Sequence, residues 1–275
     1  MKTLRNFCPM LLFVFLTAVG FPSAALAADP PPQADQAGTE VVQKSQATFF
    51  EAGKDFQARV KMTLTTREGQ QRLRELTMLR KNYPAGEQKY FIYFHSPADV
   101  AGTTFMVYKY PNRDDDRWLF IPAINLVNRI AARDSRSSFV GSDFTYEDVS
   151  GRELAADRHT LLKEDELDGH KVFVVESIPK TSAEYARKVA WIDQVTFLPL
   201  KEDYYDIQGA LYKVFSANEA KEIQGIPTVM KRTMANVKSG HKTEVVFERI
   251  QYNVGIGDDL FSERYLRKPP ERWIK

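Results

Sequence analysis

The residues able to do chemistry in this sequence are few and scattered. Four histidines, His95, His159, His170 and His241, stand far apart, so a metal set would need the fold to gather them. Asp114-Asp115-Asp116 offers oxygen ligands to a cation. With Pro111-Asn112 before it and apolar runs on both sides, it reads better as a solvated turn. Asp143 with Glu147-Asp148 has the composition of a carboxylate pair for hydrolysis, but surface and capping roles suit the same residues better. No G-x-S-x-G elbow, H-E-x-x-H pair or phosphate loop ending in G-K-[ST] occurs. Cys8 is the single cysteine and lies in the leader, which leaves no disulfide framework and no thiolate chemistry. The chain reads as a non-enzyme needing neither cofactor nor metal.

What does recur is apolar surface, densest between Pro97 and Val149. A strand-like run, Thr103 to Tyr110, carries Phe105 and Val107. A charged turn leads to Trp118-Leu119-Phe120-Ile121. Ile124, Val127 and Ile130 then follow at three-residue spacing with Leu126 beside them, which predicts a short amphipathic helix over 123–132, too short to stand alone. Such a flap must lie on the protein's own core or cover a cavity. The pattern alone leaves both open for Phe105, Val107, Trp118, Phe120, Leu126, Val127, Ile130, Phe139, Phe144 and Tyr146. Arg129 and Arg133 beside the stripe are surface charges on one reading and a rim for lipid headgroups on the other.

Those residues must be positioned by a strand-rich scaffold. Residues 1–27 read as a cleaved signal peptide: Lys2 and Arg5 form the basic end, Met10 to Val19 the apolar stretch, and Ala25-Leu26-Ala27 the small-residue site. Lys2 and Arg5 account for the whole excess of 38 basic over 36 acidic residues, so the exported part carries no net charge. That argues against nucleic acid or a strongly anionic membrane as the main partner and leaves transient membrane contact. Roughly 250 residues remain, enough for one domain with a sizeable core. Residues 28–38 are Pro-, Ala- and Gln-rich and read as a disordered leader; 39–275 form the domain. Thr39 to Gly53 predicts a helix capped by Thr39. Strands are predicted at 56–65, 72–80, 89–95, 103–110, 117–121, 171–178, 188–193, 199–205, 210–215, 228–237 and 242–252, with 160–167 an edge strand or loop. Lys89 to His95 is apolar on both faces and so demands two covers; the N-terminal helix and the 123–132 flap are the candidates. The fold class is mainly β, about ten or eleven strands, as an incomplete antiparallel barrel with a short helical lid, or nearly as well a filled sandwich.

The residues also carry a resemblance. S-P-A-D-V-A-G-T-T-F (Ser96–Phe105), W-L-F-I-P-A (Trp118–Ala123), R-I-A (Arg129–Ala131) and G-S-D-F-T-Y-E-D (Gly141–Asp148) occur in that order. L-P-L-K-E-D-Y-Y-D (Leu198–Asp206), G-A-L-Y-K (Gly209–Lys213) and L-F-S-E-R-Y-L (Leu260–Leu266) follow. Together they resemble the LolA-like outer-membrane lipoprotein-sorting family, and within it the branch found beside resistance-nodulation-division (RND) exporters. The resemblance implies an incomplete β-barrel with a helical lid. It also implies periplasmic carriage of lipid or lipoprotein acyl chains, with an inner-membrane RND-type exporter as partner. It tips the apolar set above toward cavity lining, with 123–139 as the lid. The alternative from another class is a lipid-sensing regulatory module of an envelope-stress pathway. An exporter gene as genomic neighbour would favour the carrier, an anti-sigma factor gene the sensor.

Overall fold

In the computed structural model, residues 32–181 and 183–275 are described; the expected signal peptide lies outside them. Thirteen strands form one antiparallel sheet: β1 (Asp55–Thr65), β2 (Gln71–Asn82), β3 (Gln88–Ser96), β4 (Thr104–Lys109), β5 (Asp116–Ile121), β6 (Leu126–Ile130), β7 (Asp157–Leu167), β8 (His170–Pro179), β9 (Arg187–Asp193), β10 (Pro199–Tyr205), β11 (Leu211–Ile223), β12 (Ile226–Asn236) and β13 (Lys242–Tyr252). The spatial order is β6-β5-β4-β3-β2-β1-β13-β12-β11-β10-β9-β8-β7. Every strand thus pairs with its sequence neighbour, except at one joint, where β1 pairs with β13, and at one seam, where β6 and β7 do not meet. The sheet is a barrel left open at that seam. The count exceeds the expected ten or eleven because β6 is a strand and the 160–167 stretch pairs fully with β8.

The strands form for ordinary reasons. β1 alternates buried and half-buried residues along its length, placing Phe56, Ala58, Val60, Met62 and Leu64 on one face. Asp168-Gly169 and Gln224-Gly225 both have positive φ and close two-residue hairpins, the geometry whose twist matches paired strands.

Two regions depart from the sequence reading. Helix α1 spans Pro32–Phe50, so residues 32–38, expected to be disordered, are helical. Thr39 is not its cap: it lies in mid-helix, its hydroxyl donating to the Asp35 carbonyl at 2.8 Å. The predicted 123–132 helix is instead a turn, with Asn125 at φ 50°, followed by β6, an edge strand paired to β5. The three-residue spacing misled because the turn breaks the run after Ile124, and β-pairing satisfies backbone groups that one isolated helical turn would leave open.

The connection from β6 to β7, residues 131–156, crosses the seam and enters the concave side. It contains the short helix α2 (Tyr146–Ser150), capped by a reciprocal Thr145–Asp148 box. The inner core is built from Tyr90, Ile92, Phe94, Phe105, Val107 and their neighbours together with Phe139, Phe144, Tyr146 and Val149 of this plug. A second core lies on the convex side, where the C-terminal segment, with α3 (Glu263–Arg267) and α4 (Glu271–Ile274), lays Leu260, Phe261, Leu266 and Ile274 over Leu79, Phe91, Met106 and Phe120. This tail is the second cover that β3 requires, in place of the 123–132 flap.

Candidate functional site

The concave face divides the expected lining residues into three groups. Phe105, Val107, Ile130, Phe139, Phe144 and Tyr146 belong to the inner core, and all are buried. Phe105 meets Phe139 at 5.3 Å and Tyr146 at 5.1 Å between ring centres, and Phe139 meets Tyr146 edge-on at 5.5 Å. Such contacts add to area burial. Trp118, Phe120 and Val127 instead pack with the convex core beneath the C-terminal tail. The reason is register: Phe105 pairs with Leu119, so Leu119 faces inward and its neighbours outward. Leu126 is 47 % exposed. Arg129 is exposed and ion-paired to Asp116, and Arg133 is exposed beside Asp134.

Between α1, α2 and strands β8–β12 lies a hollow of about 100 Å³. Val42, Phe49, Phe144, Ala190, Ile192 and Phe215 supply apolar walls. Charges line it too, which the sequence reading missed. Two of them, Asp148 of α2 and Glu184, hold Lys213, only 2 % exposed behind the lining, at 3.1 and 2.5 Å. Lys188 reaches Glu202 at 2.8 Å, and Glu202 accepts from the Tyr204 hydroxyl at 2.5 Å. Burial, opposed by Lys213 and reinforced by Asp148, pushes the Glu184 carboxyl up to about 7. Asp148 is held low because Lys213 and the cap bonds outweigh its own burial. The missed signal was alternation. Lys188 is in phase with Ala190 and Ile192, and Lys213 with Phe215, so each charge sits on an inward stripe.

The plug is fastened by polar contacts as well. Asp143 accepts from the Thr243 hydroxyl at 2.7 Å and lies 2.6 Å from His241, and its amide donates to Thr243 at 3.0 Å. Arg74 donates to the Val140 carbonyl. Glu147 is ion-paired with Arg152. The carboxylates weighed for hydrolysis therefore serve as cap and clamps. His95 lies beside Thr77, His159 beside Ser177 and His170 beside Asp193, each on its own strand pair. Among the described residues no three His, Cys, Asp or Glu gather as a metal set. The acidic turn departs from a purely solvated one: Asp115 is sunk against Arg117 at 2.5 Å, with both side chains about 5 % exposed.

This site can hold an apolar chain only by rearrangement. Ligand pockets usually span about 300–1,000 Å³, and the hollow is far smaller. The aromatic side chains of the plug occupy the remaining interior.

Comparison with known proteins agrees with this architecture. A family model with the description "-like: Uncharacterized protein" matches residues 86–268. No curated protein matches the chain in sequence. An outer-membrane lipoprotein-sorting protein domain from Vibrio parahaemolyticus is 29% identical, with TM-score 0.80, over 85% of this chain and 100% of that one. A DUF1329 family protein from Desulfovibrio piger is 28% identical, with TM-score 0.79, over 85% and 99%. A LolA superfamily protein from Nitrosomonas europaea shares the fold at 19% identity and TM-score 0.66, over 83% and 98%.

Proposed function

We propose that the chain, which belongs to the family matched over residues 86–268 and shares its fold with outer-membrane lipoprotein-sorting and LolA superfamily proteins, is a periplasmic, non-enzymatic carrier of acyl chains. One observation supports this reading most: the open seam is filled by the chain's own aromatic plug rather than by a strand pairing. A plug held by side chains can leave without breaking the sheet. The hollow that remains is small, about 100 Å³. The unloaded state is thus nearly self-filled. Each methylene taken up contributes about 0.8 kcal/mol, offset by re-exposure of Phe139, Phe144 and Tyr146. The net affinity is a difference between two apolar states and is small enough for cargo to be handed on.

In this reading the mobile cover is the 131–156 plug. Phe105, Val107, Ile130, Phe139, Phe144 and Tyr146 contact the chain once it opens. Cargo is a lipid or lipoprotein, loaded from an inner-membrane partner such as an RND-type exporter and released toward the outer membrane. The test is a tether. Asp143→Cys with Thr243→Cys links plug to sheet where the two residues already touch. The oxidised protein is expected to lose uptake of a fluorescent fatty acid, and reduction to restore it. Equal uptake in both states would overturn the moving plug.

A further inference from the structure

A second hollow of about 50 Å³ lies under the C-terminal turn of α1, against β1–β3, β12 and β13. Its walls include Phe49, Phe56, Phe247 and Tyr252, together with two arginines, Arg80 and Arg232, and no carboxylate. Arg80 is in phase with Leu76 and Met78 on β2, and Arg232 with Met230 and Met234 on β12, so both guanidiniums point inward with the apolar stripe.

Arg80 donates both terminal nitrogens to the Phe50 and Ala52 carbonyls and lies 4.7 Å over the Phe56 ring. The Arg232 side chain has no hydrogen bond or ion pair among the described residues. Its guanidinium lies 5.5, 5.4 and 5.1 Å from the ring centres of Phe49, Phe144 and Phe247. The Nε of each arginine is buried without a partner. The carboxylate with most pull on Arg232, Asp148, is already engaged by Lys213. Burial draws the Arg232 guanidinium down to about 10 and lowers Arg80 as well. Buried donors without acceptors are costly, and cation–π contacts recover only part of what water supplied. An anion in this hollow would supply a missing acceptor and balance two like charges. The hollow has room for a small acid group and not for a chain.

We propose that Arg232, assisted by Arg80, seats the acid group of an anionic amphiphile, a carboxylate or phosphate ester, in this hollow. Its chain would run into the larger hollow, which Arg232 also lines, and which opens when the plug withdraws. The proposal rests on the carrier reading and names its ligand class. Arginine suits the task because its planar fork binds carboxylate and phosphate oxygens in pairs.

The test compares palmitic acid, its methyl ester, hexadecyl phosphate and inorganic phosphate as ligands of the purified protein at neutral pH. The acid and the alkyl phosphate are expected to bind at least tenfold more tightly than the ester. Arg232→Gln should bring the acid to the ester's level and leave the ester unchanged. Equal binding of acid and ester by the unmodified protein would remove the seat and leave the carrier standing. Inorganic phosphate competing as well as hexadecyl phosphate would mean a site for a free anion, which also overturns the proposal. No uptake of any chain would overturn seat and carrier together. The acid–ester comparison needs no variant, so it decides even if Arg232→Gln does not fold.

Discussion

Single residues set how closely the covers approach the sheet. Gly38 lies where α1 crosses edge strand β7, and a Cβ there would stand 2.6 Å from the Leu161 amide nitrogen. Asp35, one turn earlier, accepts from the Thr160 hydroxyl and so pins the same crossing. In an open helix, Gly→Ala stabilises by about 1 kcal/mol. Here Gly38→Ala should instead destabilise by about 1–3 kcal/mol, the usual cost of overpacking. Urea unfolding checks the sign, and a stabilised variant would show that the crossing is loose. Glu184 gives a second prediction. Its folded carboxyl titrates near 7, above the ordinary value of 4.5, so the folded state holds a proton that the unfolded chain has released. That contribution is complete below about pH 4.5 and is lost as pH rises through 7. Glu184→Gln should flatten the decline between those values, worth roughly 1–3 kcal/mol. Unfolding midpoints at pH 4.5, 6 and 8 measure it; an unchanged slope would assign the decline elsewhere.

At the scale of elements, the C-terminal tail serves as an outer wall. Leu260, Phe261 and Leu266 are almost wholly buried on the convex side, and Tyr108 donates its hydroxyl to the Phe261 carbonyl. Without this tail, Leu79, Phe91 and Met106 would face water on a broad sheet. Phe261→Ala should cost about 3–5 kcal/mol. It should also raise binding of a hydrophobic dye while leaving the concave hollow's ligand preference intact. A stable variant with no added dye binding would show the tail to be a passive strap. The plug adds polar fastenings, a helix cap and a few clamps, to its buried aromatics, whereas the tail is held chiefly by apolar area.

For the whole molecule, the seam concentrates change in one place. β1 is paired on both sides, to β2 and β13, and sits opposite the opening. β6 and β7 each have one strand partner. Loading should therefore loosen the 131–156 connection and leave the centre of the sheet untouched. Hydrogen exchange with and without a bound fatty acid tests this. Faster exchange confined to the plug and the seam edges is expected; uniform change across β1–β3 would mean that the barrel breathes as a body.

Much of the scaffold was legible in the sequence because period-two alternation is local. Phe56 to Leu64 announces its own strand, and Asp168-Gly169 its own hairpin. The ordered motifs from Ser96 to Leu266 carried the family. The predicted inner residues Phe105, Phe139 and Tyr146 do meet. Other features were decided only by tertiary structure. Trp118, Phe120 and Val127 face outward because pairing register, which no single strand encodes, chose the face. Leu126 to Ile130 is a strand because β5 lies beside it to share hydrogen bonds. Nothing local marks the charges at Lys188, Lys213 and Arg232 as inward-facing. Only the folding of thirteen strands around one side turned them inward, where Lys188 and Lys213 meet carboxylates and Arg232 lies among aromatic rings.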